Sequence, residues 1–182
     1  EQGIEVTSLP GAAACITALT LSGLPTRRFS FEAFLPKEKK ERAAVLEELK
    51  NDTRTLIVYE APHHLLGTLK ELQNALGDRR LTVCRELTKK FETAFQTTFS
   101  EAIRYYEEQG VRGECVLVIE GRSREELVQE AQQSWEAISV EEHMEHYLST
   151  GMDRKSAMKQ VAKDRGVGKR EIYQMLLKAE NE

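Results

Sequence analysis

The chain has 182 residues, 40% hydrophobic and 31% charged, and its 26 Lys and Arg against 30 Asp and Glu give a formal net charge of -4. These values exclude a disordered or fibrous polymer and suit one sizeable globular domain with room for a small second one. They also exclude a global electrostatic pull toward nucleic acid or anionic membrane, so binding of either kind needs a local patch.

The first residues, EQGIEV, lack an initiator Met, as a piece of a longer protein would, and lack the charged-then-apolar pattern of a signal peptide. No apolar run reaches the ~18 residues of a membrane span, so a cytoplasmic location without membrane partners is the expectation. VTSLPG reads as a β-rich run closed by a Pro-Gly turn, and residues 12–22, rich in Ala, Ile and Leu, as a buried helix ended by Gly23 and Pro25. RFSFEAFL at 28–35 alternates aromatic and polar side chains, the pattern of a half-buried strand. Residues 37–50 are strongly charged but space Ala43, Val45, Leu46 and Leu49 along one face, which predicts a surface helix.

TLIVY at 55–59 is a β-branched run suited to a strand covered on both faces, and Pro62 opens a helix that runs to Leu76 and stops at Gly77. Leu81 to Cys84 predicts another strand, and FETAFQTTF at 91–99 alternates as a strand with one wet face. Ser100 caps a helix through Gln109, Gly110 stops it, and ECVLVIE at 114–120 is the last strand. Strands alternating with helices predict an α/β fold, and the consecutive strands near 81 and 93 make its sheet mixed, flanked by helices.

Beyond Gly121 the composition changes. Between 122 and 145 seven acids face Arg122 and Arg124, whereas from 151 to 182 eight Lys and Arg face five acids. The expected division is therefore an α/β domain over 1–121, an acidic linker over 122–138 merging into a helix, and a small helical domain over 139–182. In that last part Met158, Val161 and Ala162 form one apolar stripe and Ile172, Leu176 and Leu177 a second, separated by a turn at Gly166 to Gly168, a helix-turn-helix outline.

The three cysteines, Cys15, Cys84 and Cys115, stand far apart in apolar runs and read as buried reduced thiols. His63 and His64 are adjacent and diverge on a helix, while His143 and His146 stand in the tail, so no metal site is expected. Glu60, Glu86, Glu92 and Glu114 have the chemistry of general bases, although a salt bridge or helix-end bond is the commoner use of any one of them. GxSxG, P-loop and GxGxxG patterns are absent, and no catalytic residue is singled out.

Five blocks, LPGAAACITALTLSGLP, FEAFLPKEKKER, TLIVYEAPHHLLGTL, RELTKKFE and GECVLVIEG, closely resemble in order and spacing the C-terminal part of the rRNA small subunit methyltransferase I family, within the tetrapyrrole-methylase-like (class III) methyltransferases. The resemblance is strong over residues 3–121 and extends to the helical tail. It implies that an N-terminal α/β domain with PxGNL and SDAGxP motifs supplies the other half of a cofactor cleft, and that this fragment alone is inactive. It implies S-adenosyl-L-methionine as cofactor, a cytidine 2′-hydroxyl of small-subunit ribosomal RNA as the methyl acceptor, and a homodimer.

By the same resemblance Gly11, Ala12, Ala13 and Ala14 approach the cofactor closely, the alternative being simple helix packing. Tyr59, Glu60, Leu87, Thr88, Val116, Leu117 and Val118 match strand-end positions lining the adenine and ribose pocket. Lys89 and Lys90, beside Glu86, are candidate contacts to an RNA phosphate. The family often has Arg where this chain has His64. In the tail, Lys163, Lys169 and Arg170 are candidate phosphate contacts, the alternative being solvated charges on a packing module. Two rivals share parts of this pattern: a corrin or porphyrin precursor methylase, and a non-enzymatic nucleic-acid-binding module.

Overall fold

A computed structural model describes residues 11–179; the β-rich run at 6–9 and Pro10 of the expected turn lie outside the described residues. The chain divides into two compact units, with the boundary between Arg122 and Ser123.

The first unit contains α1 (Ala14–Leu21), β1 (Phe29–Phe34), α2 (Lys39–Leu49), β2 (Thr55–Glu60), α3 (Leu65–Leu76), β3 (Arg80–Arg85), β4 (Thr93–Thr98), α4 (Phe99–Gln109) and β5 (Cys115–Ile119). The strands form one sheet in the order β1-β2-β5-β3-β4. β1 and β2 are parallel, whereas β5 runs antiparallel to β2 and β3, and β3 antiparallel to β4. The sheet is mixed, as the chain order predicts. CVLVI sits at its centre with all five residues buried, the position its unbroken apolar run demands.

Helices cover the two faces unequally. On one face Leu65, Leu69, Leu72 and Leu76 of α3 form a single stripe and pack with Phe99, Ala102 and Tyr106 of α4 on Leu56, Val58, Leu81, Val83, Leu117 and Ile119. On the other, Ala18 and Leu19 of α1 cover Ile57, Cys84, Val116 and Val118. The α1 segment is not the buried helix expected from its composition: Ile16 is 46% and Leu21 39% exposed, because the sheet shields only one side of a helix that is apolar all round. β1 differs too. It is an edge strand, and its three aromatics lie on the exposed α1 face, Phe31 opposite Ile57 and Phe34 opposite Tyr59. A register shift between Phe31 and Ala33, where Ala33 adopts φ 52°, keeps Phe34 on that face.

Two boundaries move for local reasons. Thr98, extended at the end of β4, caps α4 by accepting a hydrogen bond from the Glu101 amide, so Ser100 is not the cap. Ser100 instead donates from its amide and hydroxyl to Asp78, at 2.8 and 2.7 Å, tying α4 to the turn before β3. Residues 62–64 form a turn and α3 starts at Leu65, while Phe91 lies outside β4 and is exposed. All three cysteines are free thiols; Cys84 and Cys115 are buried, which pushes their pKa values up to about 11 and about 12, but Cys15 is only half-buried.

The second unit contains α5 (Arg124–Glu136), α6 (Val140–Ser149), α7 (Arg154–Asp164) and α8 (Lys169–Ala179). The segment expected as an acidic linker is a helix from Arg124, capped by Ser123, whose hydroxyl accepts from the Glu126 amide. It buries no residue fully, so its helical face is faint in the sequence. Val140 and Met144 of α6, Ala157, Val161 and Ala162 of α7, and Ile172 and Leu176 of α8 form the core of this unit. Ser139 and Glu142 form a reciprocal capping box at the start of α6.

Candidate functional site

β1, β2 and β3 all end at the same edge of the sheet, where the loops following Glu60 and Arg85 meet the approach to β5. In open α/β sheets that edge is where loops bring backbone groups together around a ligand. The start of α1 belongs to this edge. Ala13, at the N-cap, offers no side-chain bond, and the Cys15 amide is satisfied from outside the helix by donating to the Tyr59 hydroxyl at 3.1 Å. Tyr59 is itself held between Phe31 and Phe34 in edge-to-face contacts at 4.9 and 5.7 Å. Burial, then contact with Cys15, raises its phenol pKa above the ordinary value.

Gly11, Ala12, Ala13 and Ala14 are exposed, and a Cβ added at Gly11 would meet nothing within 4 Å. Within this unit they do not pack into the core, so the helix-packing reading does not account for the run. Leu87, from the loop after β3, packs with Cys15, Tyr59 and Val116 on the same face. Tyr59, Leu87, Val116 and the start of α1 are therefore brought together.

Other residues of the expected pocket are not. Leu117 is fully buried on the opposite face of the sheet within the α3 and α4 core, since successive strand residues point to opposite sides, whereas Val118 shares the α1 face with Val116 but is fully covered there. Glu60 likewise turns away from Tyr59. Its buried carboxylate accepts from the Thr68 hydroxyl at 2.5 Å and the Ala61 amide at 2.8 Å, and Arg42 donates to that same hydroxyl. It serves the junction of β2 with α3 rather than the α1 face.

The loop after β3 carries unusual backbone. Glu86 and Thr88 have φ of 48° and 65°, conformations that non-glycine residues adopt at a cost. The Glu86 carboxylate accepts from the Glu114 amide at 3.1 Å and from Lys89 at 3.2 Å. The Lys89 bond first, then the Glu114 amide, hold its pKa below the usual carboxylate range. The Thr88 amide donates to Glu92 at 2.6 Å. Lys89 is therefore already paired, to Glu86 and to Glu114, while Lys90 lies over the Phe91 ring at 5.5 Å. Thr88 and Lys90 are exposed.

Sequence reasoning missed Arg85. It is half-buried at the end of β3 and its Nε is buried without a hydrogen-bond partner among the described residues. Its alternation with Leu81 and Val83 places it on the α4 face, a signal that was legible.

In the second unit His143 is fully buried and stacked on Trp135, with ring centroids 3.9 Å apart. Arg165 donates to its Nδ1 at 3.1 Å, and its Nε2 faces Asp164 at 3.4 Å. Desolvation first, then the Arg165 charge, lower its pKa. That surrounding makes it a packing residue. The His63 and His64 rings lie against each other at a tilt of 49°, with centroids 4.1 Å apart. No group of three or more His, Cys, Asp and Glu among the described residues is placed to hold a metal ion. Lys163, Lys169 and Arg170 are exposed and enter no ion pair among the described residues. No helix among those residues is long and apolar enough to cross a membrane.

Comparison with known proteins gives concordant matches. The profile of the family described as Tetrapyrrole (Corrin/Porphyrin) Methylases matches residues 1–103. Proteins named ribosomal RNA small subunit methyltransferase I from Halalkalibacterium halodurans, Bacillus subtilis and a Synechocystis species are 46%, 48% and 40% identical to this chain. The matches cover 95%, 92% and 99% of this chain, but it spans only 59%, 57% and 63% of their lengths.

Proposed function

The chain belongs to the tetrapyrrole (corrin/porphyrin) methylase family, and from that premise we propose that it forms part of a methyltransferase acting on small-subunit ribosomal RNA, at the 2′-hydroxyl of a cytidine. The observation that carries the RNA part of this reading is the 40–48% identity, over nearly the whole chain, to three proteins named as methyltransferases of small-subunit ribosomal RNA. The cytidine 2′-hydroxyl rests on the resemblance of the five sequence blocks alone. The rival acceptor, a corrin or porphyrin precursor, has only the family description behind it.

Methyltransferases of this family draw the methyl group from S-adenosyl-L-methionine. The residues at the sheet edge fit such a group. The exposed Gly11–Ala14 run carries no side chain larger than a methyl group, and Tyr59 fixes that run by accepting a hydrogen bond from the second amide of α1. Leu87 and Val116 supply apolar surface beside it. Thr88, exposed and in the left-handed region, follows Leu87 in the loop after β3, with its amide already donating to Glu92. These residues would hold and orient the cofactor, while Glu60, Leu117 and Val118 shape the strands behind them. The exposed apolar side chains of this face, Ile16, Leu21, Phe29, Phe31 and Phe34, support a cleft whose second wall is further protein.

We assign the general base to no residue of this chain. In this reading the chain alone is inactive, the enzyme is a homodimer, and Lys163, Lys169 and Arg170 contact RNA phosphates. Lys89 is a weaker candidate than Lys90, being held by two carboxylates. The test is methyl transfer by the full-length protein to a bare small ribosomal subunit compared with a corrin precursor; ribose-methylated cytidine in the RNA is the expected product.

A further inference from the structure

The second unit segregates its charge. Helices α5 and α6 carry acids at 125, 126, 130, 136, 141, 142 and 145 against Arg124 alone, whereas α7 with its C-cap Arg165, and α8, carry Lys or Arg at 154, 155, 159, 163, 165, 169, 170 and 178 against Asp164 and Glu171. These bases differ in their engagement. Arg165 is built into the fold, donating to the Ile138 and Ser139 carbonyls at 2.6 and 2.9 Å and to His143. Lys155, Lys159 and Lys163 are exposed, and none of their ammonium groups enters a hydrogen bond or ion pair among the described residues.

These three lysines recur every fourth residue of α7, on a stripe opposite the buried Ala157 and Val161 and flanked on one side by the buried Ala162. One step rises about 6 Å and the whole stripe about 12 Å. Like charges one turn apart oppose helix formation, and no acid stands three or four residues from any of the three to relieve them. A stripe of this length spans several charges of a nucleic-acid strand, which carries one per ~3.4 Å of helix axis. Ser156 and Gln160, beside the lysines, are polar, so the face lacks the apolar anchors with which an interfacial helix enters a membrane.

We propose that the Lys155–Lys159–Lys163 face of α7 is a rail for the RNA phosphate backbone, continued by the exposed Lys169 and Arg170 at the start of α8; it rests on the ribosomal RNA reading above. The rail positions RNA without reading its bases, because ammonium groups on flexible stems recognise charge rather than base edges. α7 is thereby the helix that meets the backbone.

The full-length protein, its K155Q/K159Q/K163Q variant and its K155R/K159R/K163R variant are titrated with a single-stranded RNA oligonucleotide over a salt series, with circular dichroism to verify folding. Three contacts at ~0.7 each give a log–log salt slope about 2 shallower for the Gln variant, with the Arg variant keeping the wild-type slope. A folded Gln variant with a slope within about 0.5 of wild type, less than one contact's worth, overturns the rail. Methyl transfer to bare small subunits, measured separately on the wild type, distinguishes the two claims: transfer with an unchanged Gln slope removes the rail alone, whereas a wild type that neither binds RNA nor methylates it removes both. Wild-type binding to phosphatidylserine vesicles with none to RNA also overturns the proposal.

Discussion

The Tyr59 hydroxyl, on β2, accepts the hydrogen bond of the Cys15 amide at 3.1 Å and so caps a helix 44 residues earlier in the chain that brings no capping side chain of its own. A helix leaves its first amides without internal partners, and here a strand-end phenol supplies one. The same bond fixes the start of α1 at the candidate cofactor edge. Tyr59→Phe keeps the ring between Phe31 and Phe34 but removes the acceptor. The expected loss is about 1 kcal/mol of stability, the usual value of an N-cap, measured by urea denaturation, together with weaker S-adenosyl-L-methionine binding by the full-length protein.

Ala13→Leu separates cleft from core. Ala13 is exposed, so the larger side chain should change stability by no more than about 0.5 kcal/mol, as at ordinary surface positions. In the full-length protein it should abolish methylation. A thermal melt beside a methylation assay checks both; an active but destabilised variant would return the small-residue run to core packing.

Gly113 has φ 79°, and a Cβ there would overlap the Glu86 carboxylate. Gly113→Ala should therefore displace Glu86 from the Glu114 amide and from Lys89 and strain the loop after β3. The expected cost is about 1–3 kcal/mol, read from a chemical denaturation curve, with Lys89 freed from Glu86.

The second unit should weaken in acid. His143 has a folded pKa below its unfolded value, so the unfolded chain binds the extra proton first and stability falls as pH drops below the ordinary histidine value of about 6.5. Asp164, Arg165, His146 and Tyr147 surround it, and Arg165 already donates to Nδ1, leaving no acceptor for an added proton there. Thermal melts between pH 7 and 5 should show the loss, and His143→Gln should flatten it.

The sheet was legible because its strands are short apolar or alternating runs between clear breakers, and the neighbouring strands near 81 and 93 announced a mixed sheet. Its parity was not carried through at the site. Tyr59 and Glu60 share one motif but face opposite sides of the sheet, as do Val116 and Leu117, so Glu60 and Leu117 belong to the packing of the α3 face. The exposure of α1 was hidden because composition gives a helix's hydrophobicity, not how many sides are covered. Thr98 and Ser100 are both competent caps, and the extended backbone at the end of β4 decides for Thr98. Helix α5 buries nothing completely, and an acidic surface helix then looks like a linker. Arg85 was overlooked beside the denser charge of Lys89 and Lys90, although its position in the strand was readable.

The most direct test of the whole account is mass spectrometry of ribosomal RNA from bare small subunits incubated with the full-length protein and S-adenosyl-L-methionine. The account predicts one methyl group on the ribose of a cytidine, lost in the Ala13→Leu protein. Methylation of a corrin precursor with no methyl group on the RNA would contradict it.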